Sequence, residues 1–170
     1  MAVATRVSLE EYLNTSYEPE CDYVDGVLEE RNVGRNRHSE TQSLIIAFLM
    51  NLRKQHGHRV MTEQRVRVSP TRVRIPDVCL VPWSDRDEVT QGPPALWIEV
   101  LSPDDRFKRV VARLQDALSM GVQTIWIIDP YSKKTWMMTP GTPIAEIPDG
   151  VLRCANPNLE LRIDDILPEE

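Results

Sequence analysis

Hydrophobic side chains are concentrated in short runs along the chain, each bounded by polar or turn-forming residues. The run Leu96–Leu101 places apolar side chains on both faces of an extended segment and is interrupted only by Glu99. Such a pattern is typical of a strand that is buried on both sides. The segments Val73–Val81 and Thr124–Pro130 have the same character. We therefore predict three buried strands.

In two of these strands, Val73–Val81 and Leu96–Leu101, an acidic residue interrupts the apolar run. Pro76 removes a ladder donor, so Asp77 is expected at a strand entry or a bulge, whereas Glu99 lies mid-strand. Burying an ionised carboxylate costs several kcal/mol unless a cation or hydrogen-bond donors compensate. Because 22 residues separate the two acids, a loop and a return to a neighbouring strand fit between them. The pair favours a metal site; alternatively, Glu99 caps an edge strand or pairs with a core arginine.

The N-terminal third shows helix and hairpin signals. Ser8 begins a short helix through a capping-box pattern with Glu11. The segment Tyr23–Leu28 predicts two strands joined by an Asp-Gly turn. Ser39 is expected to cap a second, amphipathic helix that ends before Gly57.

The rest of the chain alternates strands with one helix. Val60–Val68 predicts a strand, and after the Glu99 strand either Ser102 or Asp104 caps a helix that runs to Met120. The Glu99 strand, this helix and Thr124–Pro130 form a crossover unit, which is expected to be parallel and right-handed. The tail beyond Pro130 predicts short strands separated by turns.

The composition is that of an ordinary water-soluble domain. A chain of 170 residues with 41% hydrophobic content suits one domain, spanning residues 1–170. No apolar run reaches the length of a membrane span, and Met1–Arg6 lacks the apolar core of a secretory signal. Three widely spaced cysteines favour reduced thiols over a disulfide framework or a zinc site. We therefore expect a cytoplasmic protein.

Charge is distributed unevenly along the chain. The net charge of −6 argues against a nucleic-acid partner. However, the span from Arg31 to Arg74 contains ten lysines and arginines, opposed only by Glu40 and Glu63, and includes all three histidines. This span favours a basic face beside the candidate metal site and hence DNA as a partner; a solvated strand face or a dimer contact explains it equally well.

The two acids support a specific chemistry. Asp77 and Glu99, together with the main-chain carbonyl of Val100, form an oxygen ligand set for Mg²⁺ or Mn²⁺. Such an ion lowers the pKa of bound water and stabilises charge on a phosphodiester. The helix that follows supplies Lys108 and Arg113 as candidate catalytic cations. The alternative for this helix is a solvated stripe, because Arg106, Arg109 and Arg113 share one face. His38 could reach the site, although a histidine in this position is more often an exposed loop residue.

The order of these motifs resembles a known family. The motifs are the hairpin Tyr23–Glu29, His38 before a helix, Ile75–Val78, Trp97–Pro103, and Gly121-Val122 leading to Trp126–Pro130. In this order they resemble the Uma-type putative endonuclease family of bacteria, within the restriction-endonuclease-like PD-(D/E)XK nuclease superfamily. The resemblance covers roughly Ser8 to Pro130 and, more loosely, the tail.

The resemblance implies a fold and a site. It implies an α/β protein with a restriction-endonuclease-like αβα core around a mixed β-sheet, plus an added N-terminal helix and hairpin. It also implies that Asp77 and Glu99 bind the metal, and that the protein forms a homodimer. The usual lysine of the superfamily falls on Leu101; in Uma-type sequences a lysine on the next helix matches Arg113 instead. Arginine binds phosphate but transfers protons poorly, so Lys108 is the candidate substitute.

Two functions from different classes follow. The first is a Mg²⁺-dependent DNA endonuclease that hydrolyses phosphodiester bonds. The second is a catalytically inactive protein of the same fold that acts as a DNA-binding or assembly module. The intact acids favour the first, and Leu101 and Arg113 favour the second. A third option, hydrolysis of a small phosphoester, is separable by competition with duplex DNA.

Overall fold

A mixed six-stranded sheet lies at the centre of the protein, seen in a computed structural model that describes residues 6–32 and 34–167. Its strands follow the spatial order β10-β9-β8-β7-β6-β3. Their bounds are β3 (His58–Thr62), β6 (Val78–Pro82), β7 (Leu96–Val100), β8 (Ile125–Asp129), β9 (Lys134–Met138) and β10 (Ala145–Glu146). Only β7 and β8 pair in parallel. Because β6 to β8 lie inside the sheet with both faces covered, their sequences are nearly uninterrupted apolar runs.

A second sheet packs beside the first and is wholly antiparallel, in the order β2-β1-β5-β4. It comprises β1 (Cys21–Val24), β2 (Val27–Glu30), β4 (Val66–Ser69) and β5 (Arg72–Arg74). The predicted hairpin is confirmed: β1 and β2 are joined at Asp25-Gly26, both with positive φ.

Two segments that we predicted as continuous strands are each divided between the sheets. Val60–Val68 splits because Glu63 takes a left-handed conformation (φ 49°) between β3 and β4. Val73–Val81 splits because Ile75–Asp77 carries the chain from β5 in one sheet to β6 in the other. Pro76, which cannot donate a ladder hydrogen bond, lies in this crossing. Asp77 therefore immediately precedes β6, as predicted for a strand entry.

Helices cover both faces of the central sheet. They are α2 (Asn36–Asn51), which the short α3 (Arg53–His56) follows, and α4 (Phe107–Met120), whereas α1 (Leu9–Leu13) packs through Tyr12 on the second sheet. Ile45 and Leu49 of α2 pack on one face together with the hairpin β11 (Val151–Cys154) and β12 (Leu159–Arg162), which a short 3₁₀ helix (Ile163–Asp165) follows. On the other face α4 packs through Val110 and Leu114, beside Trp97 and Ile127. The αβα core around a mixed sheet is thus confirmed, and β7-α4-β8 is the parallel crossover unit.

The helix starts show where capping signals failed. Ser8 caps α1 as predicted and accepts a hydrogen bond from the Glu11 amide at 3.1 Å. Ser39 is not a cap, because α2 already begins at Asn36. Neither Ser102 nor Asp104 caps α4, which begins at Phe107. The reason is local: Asp105 accepts a hydrogen bond from the Ser102 amide at 2.7 Å and so holds a separate turn before the helix.

Other features of the chain bear on the sequence-based expectations. All three cysteines are buried and free, as predicted for reduced thiols. None of the helices within the described residues is long and apolar enough to span a membrane. The N-terminal segment that we examined for a secretory signal lies, up to residue 5, outside the described residues.

Gly121 allows α4 to turn back into β8, and its replacement tests that requirement. It ends the helix at φ 112°, a conformation that side chains with a Cβ rarely adopt. We expect Gly121→Ala to lower the free energy of unfolding by about 1–2 kcal/mol, measured by urea denaturation. Gly92→Ala is the matched control, since a Cβ there contacts nothing within 4 Å. Equal effects of the two substitutions would contradict the backbone explanation.

Candidate active site

The two predicted acids lie next to a pair of opposed residues in the central sheet. β6 and β7 pair antiparallel with Val78 opposite Ile98, and Asp77 directly precedes Val78 while Glu99 directly follows Ile98. The Asp77 carboxylate accepts a hydrogen bond from the amide of Val100, the residue after Glu99, at 2.8 Å. Both side chains are almost completely buried, at 5% and 2% exposure. The structure therefore brings together the two acids that the sequence analysis singled out.

Asp77 is held by groups from three different elements. Arg31, which follows β2, donates to Oδ1 at 2.6 Å, and the Val100 amide donates to Oδ2 at 2.8 Å. His38 Nε2 of α2 lies 3.4 Å from the same Oδ2. Gln42, one turn later on α2, donates to the main-chain carbonyl of Asp77 at 2.9 Å. Asp77 thus ties α2 to the strand pair β6–β7.

His38 corrects one of our expectations, because it is a buried helix residue and not an exposed loop residue. Gly34 makes room for it: a Cβ at Gly34 would lie 2.6 Å from Nδ1 of the His38 ring. Any side chain at residue 34 would therefore push the imidazole away from its position beside Asp77.

Glu99 is held by two donors on the α4 face of the sheet. Trp97, two residues earlier on β7, donates from its indole nitrogen to Oε1 at 3.0 Å. Arg113 of α4 donates to Oε2 at 3.0 Å. The same guanidinium has its Nε 3.9 Å from Oδ2 of Asp22 on β1. Arg113 consequently connects the central sheet with the second sheet.

The environments of the two acids shift their pKa values in opposite directions. Burial raises the pKa of Glu99 to about 7, because the charge of Arg113 offsets only part of the desolvation and the Asp77 charge adds to it. Burial alone would also raise the pKa of Asp77. There, however, the His38 contact and the Arg31 charge prevail and hold that pKa below its ordinary value. The pKa of His38 is correspondingly raised, since the interaction with Asp77 outweighs desolvation.

A cavity of about 600 Å³ lies in front of the two acids. Arg31 and Arg113 line it, whereas Asp77 and Glu99 lie behind these two arginines. Its described lining contains further charged residues of both signs, among them Asp22, Glu29, Arg72, Arg74, Asp104, Asp105, Arg106, Arg109 and Asp116. This is a polar cavity whose deepest charged groups are arginine–carboxylate pairs.

A network around Arg74 forms one wall of that cavity and was not anticipated from the sequence. Arg74 donates to Asp22 at 3.1 Å, to Glu29 at 2.7 Å and to Asp116 of α4 at 2.8 Å. Asp22 is buried and also accepts from the Ile75 amide at 3.1 Å. The network holds the second sheet against α4 and leaves little positive charge from Arg74 for a ligand.

Several of the basic residues that were expected to form one face are instead paired with acidic residues. Arg65 pairs with Glu20, and Arg35 pairs with Asp104. Arg72 pairs with both Asp25 and Asp116. Of the ten basic residues between Arg31 and Arg74, three line the cavity in the described structure, namely Arg31, Arg72 and Arg74. The other positive side chains there are Arg106, which directly precedes α4, and Arg109 and Arg113 on α4.

The structure separates the three residues that the sequence analysis considered for the role of the superfamily lysine, namely Leu101, Arg113 and Lys108. Leu101 is buried in the apolar cluster beneath α4. Arg113 reaches the site, where it donates to Oε2 of Glu99 at 3.0 Å. Lys108 is exposed on α4 and does not belong to the described cavity lining. The sequence-predicted cations thus separate into one that contacts an acid and one that lies on the surface.

The donor set is suited to a hard divalent cation only after a rearrangement. Two carboxylates and the Val100 carbonyl are oxygen ligands of the kind that Mg²⁺ takes, with water and phosphate completing its shell. Each of the four carboxylate oxygens, however, already has a partner in the structure. Within the described residues no group of three or more His, Cys, Asp or Glu side chains is arranged to hold a metal. A cation therefore competes with Arg31 for Asp77 and with Arg113 for Glu99.

Glu99 makes a definite contribution to the pH dependence of stability. A carboxyl group whose pKa is higher in the folded state binds more protons there, so its contribution is complete below about pH 4.5 and is lost as the pH rises towards about 7. As the pH rises across this window, we expect the free energy of unfolding of the wild type to decrease by about 1–3 kcal/mol relative to that of Glu99→Gln. Urea denaturation at several pH values measures it.

The opposite trend would contradict the dominance of burial. If the wild type gained stability relative to Glu99→Gln over the same window, the Arg113 ion pair would instead lower the pKa of Glu99. The titration of Asp77 does not affect this comparison. Because its pKa is lowered, its contribution to stability changes only at a more acidic pH than this window.

Comparisons with known proteins bear on the family and the fold. The crystal structure of a putative nuclease belonging to DUF820 from Anabaena variabilis superposes with a TM-score of 0.82 at 24% identity. The match covers 94% of this chain and 97% of that one. At this identity it establishes a shared fold. No curated protein sequence matches. The family model Uma2, described as "Putative restriction endonuclease", matches residues 9–163. Since that match spans most of the chain, the protein belongs to the Uma2 family.

Proposed function

We propose that this protein is a DNA endonuclease that hydrolyses phosphodiester bonds with Mg²⁺ or Mn²⁺ held by Asp77, Glu99 and the carbonyl of Val100. The observation that carries the proposal is that two buried carboxylates, next to paired positions of β6 and β7, each contact an arginine that lines the same cavity. The printed descriptions of the family and of the Anabaena structure, a restriction endonuclease and a nuclease, support nucleic acid as the substrate class.

Arg31 supports phosphate binding in the cavity. One of its terminal nitrogens donates to Asp77, and the other, Nη1, is buried without a hydrogen-bond partner among the described residues. A buried donor without an acceptor costs about 1–3 kcal/mol. A phosphate oxygen, like a carboxylate oxygen, is an acceptor that a guanidinium binds strongly. Arg31 is therefore suited to move from Asp77 to a substrate phosphate.

The residues of the chain then have separate tasks. When bound, the divalent cation supplies Lewis acidity and a bound water of lowered pKa. Arg31 and Arg113 bind and orient the phosphate, and they neutralise the charge that develops on it. His38 positions Asp77 through its contact with Oδ2. Leu101 contributes to packing alone, because an apolar side chain transfers no proton.

A specific observation favours the second candidate, an inactive DNA-binding or assembly module. Both acids are neutralised by arginines, and neither position matched to a family lysine has one. An arginine remains protonated and does not exchange a proton with water or a leaving group. In this alternative the ion pairs have replaced the cation permanently, and the cavity binds phosphates without cleaving them.

Cleavage of supercoiled plasmid separates the two functions. With Mg²⁺ or Mn²⁺, we expect nicking by the wild type and a loss of at least about 100-fold in Asp77→Asn and Glu99→Gln, since even outer-shell changes cost about 10–100-fold at metal sites. Glu146→Gln is the matched control, an exposed acid paired with Lys134. Cleavage that survives both site substitutions would exclude Asp77 and Glu99 as ligands. If the wild type itself does not cleave the plasmid, the result favours the inactive module.

Arg113→Lys tests the missing proton-transfer group directly. Lysine at residue 113 would place a titratable ammonium near Glu99, and general acid–base catalysis contributes about 10²–10⁴-fold. We expect the variant to cleave plasmid at least about tenfold faster than the wild type. The matched control is Arg109→Lys, one turn earlier on the same helix. A rate unchanged or lowered by Arg113→Lys would mean that no proton transfer is missing at residue 113.

A further inference from the structure

A second cavity of about 600 Å³ lies on the other side of the turn between β7 and α4. Its walls differ from those of the arginine-lined cavity, because they contain three aromatic residues and no arginine among the described lining residues. Phe107 begins α4, Trp136 lies on β9, and Tyr131 lies in the turn between β8 and β9. Ser102, Asp105 and Asp129 supply polar atoms at its rim. We call this space the aromatic cavity.

The rings are fixed in position yet incompletely covered. Phe107 and Trp136 pack with their centroids 4.7 Å apart at 51°, and both are only partly buried. The turn that carries Tyr131 is held by Asp129, which accepts from the Tyr131 amide at 2.9 Å and from the Ser132 hydroxyl at 2.6 Å. A third planar group therefore stacks on rings that are already held in position, so little side-chain entropy is lost when it binds.

Tyr131 adds an unused polar group. Its hydroxyl is buried and has no hydrogen-bond partner among the described residues. Buried hydroxyl groups are rarely left in this state, since the desolvation cost is not recovered. A ligand with a flat apolar surface and hydrogen-bonding atoms on its edge can stack on the rings and, after a small shift of the Tyr131 side chain, provide a partner for this hydroxyl. Nucleobases have this combination of a stacking face and a polar edge.

The aromatic cavity adjoins the arginine-lined cavity. Asp105 lines both of them, and its hydrogen bond from the Ser102 amide fixes the turn that separates them. A polynucleotide with a phosphate beside Arg106 on one side of this turn therefore reaches the aromatic cavity with an adjacent base. In duplex DNA that base is stacked and paired, so only an unpaired or extruded base can enter.

We propose that the aromatic cavity binds an unpaired nucleobase of the polynucleotide whose phosphates occupy the arginine-lined cavity. This rests on the proposed function in that the ligand is a nucleic acid, but it does not require cleavage. Stacking on aromatic side chains depends little on base identity, so the cavity selects for unpaired structure and not for sequence. The substrate class is then single-stranded DNA, or duplex DNA with unpaired bases.

Binding of two labelled oligonucleotides in EDTA tests the proposal without any chemistry. One is an oligothymidylate about a dozen nucleotides long, and the other is an abasic strand with the same number of phosphates. Fluorescence anisotropy at low ionic strength gives both dissociation constants. We expect the wild type to bind the oligothymidylate at least about fivefold more tightly, the lower end of the stacking contribution of one base.

Variants locate the base-dependent part of the affinity. Trp136→Leu and Phe107→Leu should bring the ratio of the two affinities close to one, while the abasic strand binds as before. Trp83→Leu is the matched control, because Trp83 is an exposed tryptophan outside the aromatic cavity. Tyr131→Phe removes only the hydroxyl and should lower the ratio at least about twofold with the fold intact. Circular dichroism checks folding.

The outcomes separate this proposal from the endonuclease proposal. A ratio that Trp136→Leu, Phe107→Leu and Tyr131→Phe all leave unchanged overturns the base-binding site, even if plasmid is cleaved. If these substitutions lower the affinity ratio as expected, the base-binding site is supported, even if neither the wild type nor any variant cleaves plasmid. Equal affinity of the wild type for the two strands, or binding of neither, overturns the base-binding site outright.

Discussion

Two carboxylates buried between strands must be compensated, and this requirement organises the site. Asp77 directly precedes β6 and Glu99 lies on the neighbouring strand β7, and both are buried where two uncompensated charges would cost several kcal/mol each. Arg31 and Arg113 provide the compensation from two separate parts of the chain, one just after β2 and one on α4. Since Arg113 also approaches Asp22, charge balance connects both sheets and α4 to the same point.

The same compensation defines how the protein could work. A divalent cation and an arginine are alternative partners for one carboxylate, so whatever draws Arg31 away from Asp77 also frees a ligand for a cation. A substrate phosphate is suited to do this, because the unpartnered nitrogen of Arg31 belongs to a side chain that lines the cavity. Cation and substrate would then bind with positive coupling, each lowering the cost of admitting the other. In the inactive alternative, the arginines keep the acids permanently.

The sequence predicted the parts of the structure that depend on local pattern. Apolar runs on both faces identified β6, β7 and β8, and the Asp25-Gly26 turn identified the hairpin. The sequence did not reveal that Val60–Val68 and Val73–Val81 each cross between the two sheets, because the crossing depends on tertiary pairing. Only Pro76 indicated a break. Arg31 was counted among the basic residues, and its role as a counter-ion was missed, although a buried acid requires one. The Asp22–Arg74 network left no local signal, since its members come from distant elements.

A crystal structure of the protein grown with Mn²⁺ and a short oligonucleotide, with anomalous scattering recorded for manganese, tests the central claim most directly. The account predicts an anomalous peak within coordination distance of both Asp77 and Glu99, with the Arg31 guanidinium moved from Asp77 to a phosphate oxygen. Intact Arg31–Asp77 and Arg113–Glu99 pairs, with bound DNA and no manganese between the acids, would contradict it.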